Sequence, residues 1–192
     1  MKATKALVII AATLLMAVPA LPGCGDSAAR DKVSEAVGLI ETSQTLLEDL
    51  VSLDKRLNIL GTRSSDVDST IAEGKSLAEM ALLDVDELEA RYTQARTLLQ
   101  EVADMGGAGD YAGYARLALA AVETELEALV VNRQLLTAVW DMLDVLPLAE
   151  SQEQLSYYIE EIDRLTGEVS DLLQRGAEAA QEADRYYREH GL

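Results

Sequence analysis

Residues 71–102 read IAEGKSLAEMALLDVDELEARYTQARTLLQEV, and this stretch decides the fold. Ile71, Gly74, Ala78, Ala81, Val85, Leu88, Tyr92, Ala95, Leu99 and Val102 recur at alternating intervals of three and four residues, with charged and polar side chains between them. A strand alternates every second residue, whereas a helix gathers positions i, i+3, i+4 and i+7 on one face, so the stretch is an amphipathic helix. A spacing held without interruption from Ile71 to Val102 is a heptad repeat, the mark of helices packed side by side as in a coiled coil.

Working outward, Gly106-Gly107-Ala108-Gly109 ends this helix, and Asp110 is the candidate N-cap of the next, which runs to about Leu146 before Pro147 stops it. Its inward stripe is Ala115, Leu119, Val122, Leu126, Leu129, Leu136, Trp140 and Leu143, with Arg133 on the same line. Upstream, Ser65 and Asp68 form a capping box that opens the Ile71 helix. Before it lies a first helix, with Val33, Val37, Ile40, Leu47, Val51 and Leu57 inward and Gly61 placed to cap it. Ser151 and Gln154 form a second capping box. It launches a last helix with Leu155, Ile159, Ile162, Thr166, Val169, Leu173, Gly176, Ala180, Ala183 and Tyr187 inward, terminated at Gly191. The expected helices are about 27–60, 65–105, 110–146 and 151–190. Short connections between long helices favour antiparallel neighbours, so the expected fold is all-α, an up-down-up-down four-helix bundle with long coiled-coil-like helices. A helical-hairpin array and a domain-swapped dimer are the alternatives.

Folding the chain at its turns sets Gly74 and Ala78 opposite Trp140 and Leu136, small against large. Tyr92, Tyr111, Tyr114, Tyr186 and Tyr187 fall toward the end where the first helix begins, as core filling or as an interfacial belt. Arg133 comes to mid-height, level with Gln44, Thr45 and Thr166, with Glu48 and Asp84 the carboxylates nearest in register. A desolvated guanidinium needs such a partner. Three roles remain open for this polar layer: a site for a small anionic ligand, a device fixing helix register, or an arginine that reaches outward to solvent.

The chain starts with a different pattern. Lys2 and Lys5 precede an uncharged apolar run from Ala6 to Val18, and Leu21-Pro22-Gly23 leads into Cys24, the single cysteine. This resembles the signal peptide of bacterial lipoproteins, in which leucine at minus three and glycine or alanine at minus one precede a cysteine that is diacylated before cleavage. The resemblance covers only the leader. It implies that residues 1–23 are removed, that Cys24 carries lipid such as palmitate, and that residues 24–192 are tethered at the extracytoplasmic side of the cell membrane or outer membrane. An ordinary secretory signal or an uncleaved membrane helix competes less well. The apolar run is shorter than the ~20 residues a spanning helix needs, and Pro19 and Pro22 break its end. Several acyl chains on one residue anchor stably, where one alone binds marginally.

Charge and residue usage narrow the function. The chain carries 16 basic against 34 acidic side chains, and loss of Lys2 and Lys5 with the leader makes the remainder more acidic still. Nucleic acid is therefore not an expected partner, and anionic headgroups would be repelled. His190 is the sole histidine and stands beside the C-terminus, and the Glu-x-x-His pairs of di-iron bundles are absent, so no metal site is expected. With Cys24 used for lipid, no thiol remains for redox chemistry. The glycine-rich loop follows a helix and lacks the Lys and Ser/Thr of phosphate loops. Asp66-Val67-Asp68 and Asp84-Val85-Asp86-Glu87 do not match an EF-hand. The expectation is a protein without catalysis and without a cofactor beyond the lipid. It would act as a tethered binding or scaffold module for a protein or cell-envelope partner, with self-association open. A ligand-binding or sensory bundle around Arg133 is the alternative.

Overall fold

The computed structural model describes residues 27–63, 67–148 and 152–192. The expected leader, Cys24, and Ser65 and Ser151 of the expected capping boxes lie outside the described residues. Among the described residues four helices follow one another: α1 (Ser27–Arg63), α2 (Val67–Asp104), α3 (Asp110–Val145) and α4 (Gln152–His190), with a 3-10 turn, Leu146–Leu148, after α3. Each rises about 55 Å at 1.5 Å per residue.

Contacts across the seams fix the directions. Lys32 on α1 pairs with Glu101 on α2, while Arg56 lies 3.7 Å from Glu73. Between α2 and α3, Arg116 reaches the Ala103 carbonyl and Lys75 reaches Asp144 at 2.5 Å. Between α3 and α4, Tyr114 stacks edge-on against Tyr187, and Glu125 faces Gly176. In each pair one number rises as the other falls, so successive helices are antiparallel and the fold is the expected up-down-up-down bundle.

The seams are unequal. Among the described residues α1 packs along α2, α2 along α3 and α3 along α4, while α1 only grazes α3 and does not pack along α4. The bundle is open on the side between its first and last helices, and α3 is buried on two faces. Val122, Leu129 and Leu136 belong to the core shared with α1 and α2, whereas Ala128, Val131 and Leu135 form a second cluster with Leu165, Val169, Leu172 and Leu173 of α4. A helix buried on both sides must be more apolar around its circumference than its neighbours, and α3 is the most apolar of the four.

Several boundaries differ from the sequence expectation. α1 continues through Gly61 to Arg63, so Gly61 does not cap it. Asp110 is the first residue of α3 rather than its N-cap; that place belongs to Gly109, whose φ of 55° suits glycine. Asp110 still complements the helix dipole from the first turn. At the other terminus Gly191 takes φ 65° and the Leu192 amide returns to the Tyr187 carbonyl, closing α4 as expected. All ten residues of the Ile71 to Val102 stripe are buried. Gly74 meets Leu143, not Trp140: a Cβ there would stand 2.8 Å from a Leu143 methyl, so the α2–α3 register is one turn from the expected one. Trp140 instead lies beneath the Lys75 ammonium, 4.6 Å from the ring centre. Ile159, expected inward, is exposed, and Leu165 and Leu172 take its place on the buried face of α4.

Candidate functional site

Arg133 stands at the edge of the α2–α3 seam with its side chain 35 % exposed. Its guanidinium lies 2.8 Å from Glu89 and 2.6 Å from Asp86, and these hydrogen bonds, that to Glu89 first, hold its proton more tightly than in a free arginine. The carboxylates expected from register are elsewhere. Asp84 is turned toward Asp49 of α1, and its carboxyl is pushed up by burial and then by the Asp49 and Glu87 charges. The cause is helical phase: residues are 100° apart, so Asp84 and Asp86 flank Val85 on opposite sides, and only Asp86 faces α3.

The other members of the expected polar layer are not brought to Arg133. Gln44 donates to Glu48 on the same helix at 3.4 Å, Thr45 is exposed, and the Thr166 hydroxyl donates to the Ile162 carbonyl at 2.7 Å. No mid-bundle layer forms from these six residues. Arg133 clamps α3 to α2.

The buried polar groups of α3 are Glu125 and Asn132, 6 % and 4 % exposed. Ala118, Val122, Glu125, Leu129, Asn132 and Leu136 also follow a three-four spacing, and every one is buried. The expected stripe shares Val122, Leu129 and Leu136 with it but takes Leu119, Leu126 and Arg133, one residue on, at the three positions where the lines part. The structure selects the phase that carries the polar pair inward. Glu125 packs against Gly176, where a Cβ would come within 2.9 Å of its Oε1. Burial pushes its carboxyl up to about 7, and its charge in turn adds to the effect of burial in raising the Tyr92 hydroxyl. The Asn132 Oδ1 and the Glu89 Oε1 are buried without a hydrogen-bond partner among the described residues.

Tyr111, Tyr114, Tyr186 and Tyr187 do gather where α1 begins. Tyr114 and Tyr187 are buried and 5.3 Å apart, so they fill core. The Tyr186 ring stacks on His190, whose Nδ1 is 2.9 Å from the Tyr186 carbonyl oxygen. Tyr92 is not among them: its neighbour Glu125 is about four turns into α3.

A groove of about 1060 Å³ lies between α3 and α4. Leu126, Val130 and Val131 of α3 and Leu172 of α4 give it an apolar floor, and Val130 is 51 % exposed there. Five carboxylates and three guanidiniums line it. No ion pair crosses the α3–α4 seam among the described residues, so this seam is held by side-chain packing and its rim charges are not matched across it. A smaller hollow continues along the same two helices past Arg133, Ala138, Tyr158 and Leu165. No described helix is long and apolar enough to cross a membrane, and no group of three metal-ligating side chains occurs among the described residues. No protein-family model matches this chain, and comparison with curated proteins finds no match.

Proposed function

We propose that this protein is a lipid-anchored, extracytoplasmic helical module that binds a protein or envelope partner through the groove between α3 and α4. The groove is the observation that carries the reading. It is a concave surface along the α3–α4 seam, with Val130 exposed and Leu126 half-buried over the buried Val131 and Leu172, and it is bordered by charged residues, the usual anatomy of a protein-binding surface. The Leu21-Pro22-Gly23-Cys24 motif supplies the anchor in this reading, and α1 starts at Ser27, so little chain separates lipid from bundle. Glu123, the groove residue nearest the start of α3, is thirteen residues from Asp110, which puts the near edge of the groove about 20 Å above that end of the bundle. The module carries out no reaction in this reading. The anion site at Arg133 draws no support from the geometry, because Asp86 and Glu89 already satisfy the guanidinium.

Two measurements on native membranes test the proposal. Mass spectrometry of the mature N-terminal peptide is expected to find acylated Cys24; a free thiol on an uncut leader would refute the anchor. A photo-reactive residue at Val130 is expected to give discrete cross-links, whereas one at Ser34 on the exposed side of α1 gives none. Silence at both positions would sink the binding role.

A further inference from the structure

We infer that the occupant of the α3–α4 groove is an amphipathic helix whose apolar stripe is flanked by lysine or arginine. The inference rests on the binding reading above and names the class of partner. Shape argues first. The floor made by Leu126, Val130, Val131 and Leu172 runs along two parallel helix axes, the form that takes a third helix by anchors at i, i+3 or i+4, and i+7. Gly167 opens a notch in the α4 rim, where an added Cβ would find no atom within 4 Å.

Charge then selects the flanks. Arg164, one of the three cations at the groove, is engaged by Glu161 at 2.7 Å and Glu168 at 2.8 Å on its own helix. Glu123, Glu127, Asp163 and Asp171 have no ion-pair partner among the described residues, and neither do Arg96 and Arg175, so four unpaired carboxylates stand with two unpaired guanidiniums. An apolar floor whose rim carries an excess of unpaired carboxylates is matched by an apolar stripe between ammonium or guanidinium groups. An acidic helix would meet twice as many unpaired like charges as opposite ones. A second copy of this chain, at a formal charge of −18, would be repelled before it docked.

The test uses the full chain and two synthetic helical peptides with the same leucine stripe, one flanked by lysines and one by glutamates. Binding is followed by fluorescence anisotropy, with Gly167→Leu as the discriminating variant. Leucine replaces glycine within a helix and has open space around it, so the variant folds with an equal or higher melting temperature while its side chain fills the notch. The lysine peptide is expected to bind at least about tenfold more tightly than the glutamate peptide, to weaken with salt, and to lose about tenfold on Gly167→Leu. Equal binding of both peptides would overturn the inference. So would a lysine peptide indifferent to Gly167→Leu, since charge alone would then hold it at no particular place. Self-association abolished by Gly167→Leu would assign the groove to a second copy and overturn it as well. Cross-links from Val130 in membranes without binding of the lysine peptide would reject the basic helix and leave the binding module standing. A free Cys24 thiol with peptide binding intact would do the reverse.

Discussion

Replacing Glu125 by glutamine tests the most consequential buried group in the bundle. The Glu125 carboxyl is ordinarily half-ionised near pH 4.5 and is held at about 7 here by burial against Gly176. Between those two values the folded protein keeps a proton that the unfolded chain releases. The folded state therefore binds more protons, and its stability falls as pH rises through this window, levelling off above about 7. At 1.36 kcal/mol per pH unit the loss is about 3 kcal/mol. Glutamine has nearly the same shape and does not titrate, so Glu125→Gln removes this slope. Its amide also needs a partner in a tight site, which costs about 1 kcal/mol at every pH. The variant should therefore match or fall slightly below the wild type at pH 4.5 and exceed it by about 2 kcal/mol at pH 8. For a chain of this size that is about 4–8 °C in melting temperature. Thermal and urea unfolding at half-unit steps from pH 4 to 8.5 measure both profiles. Parallel profiles would refute the reasoning, because a carboxylate that ionises normally is not buried as described.

Three further outcomes follow from the same contacts. Gly176→Leu drives a side chain into Glu125 and is expected to cost about 2–3 kcal/mol, much of it recovered when combined with Glu125→Ala; a double-mutant cycle with no coupling would contradict the contact. Arg133→Met removes the clamp to Asp86 and Glu89 and should cost about 1 kcal/mol at low salt, shrinking toward zero at 1 M, because the pair is partly exposed and screened. Tyr114→Ala empties a fully buried site beneath Tyr187 and should cost about 3–5 kcal/mol in urea unfolding; a loss below 1 kcal/mol would place that ring at the surface.

Much of this was legible from residues alone. The Ile71 to Val102 stripe has a single consistent phase, and every member of it is buried. α3 is different because its apolar residues are dense enough to fit two stripes, one carrying Arg133 and the other Glu125 and Asn132. Hydropathy favours keeping glutamate outside, since burying a carboxylate is costly. The structure tolerates it because Gly176 leaves room on α4 and because the group can stay protonated at moderate pH. The all-round apolarity of α3 was the available sign that it has two buried faces. The groove had no comparable sign, for an exposed Val130 looks the same in sequence as a buried one.

The sequence by itself determined the number of helices, their lengths to within a few residues and their antiparallel order, since periodicity, glycines and prolines act over a few neighbouring residues. It also holds Leu21-Pro22-Gly23-Cys24, whose resemblance to a lipoprotein signal rests on local residue order. Only the tertiary structure decided which helices share seams, that α1 and α4 stand apart, that Arg133 meets Asp86 and Glu89, and that a groove remains open between α3 and α4. The physical reason is that a heptad marks which stripe of a helix leaves water but not how many neighbours receive it. That number is settled by side-chain volumes meeting across seams, at Gly74 with Leu143 and at Gly176 with Glu125.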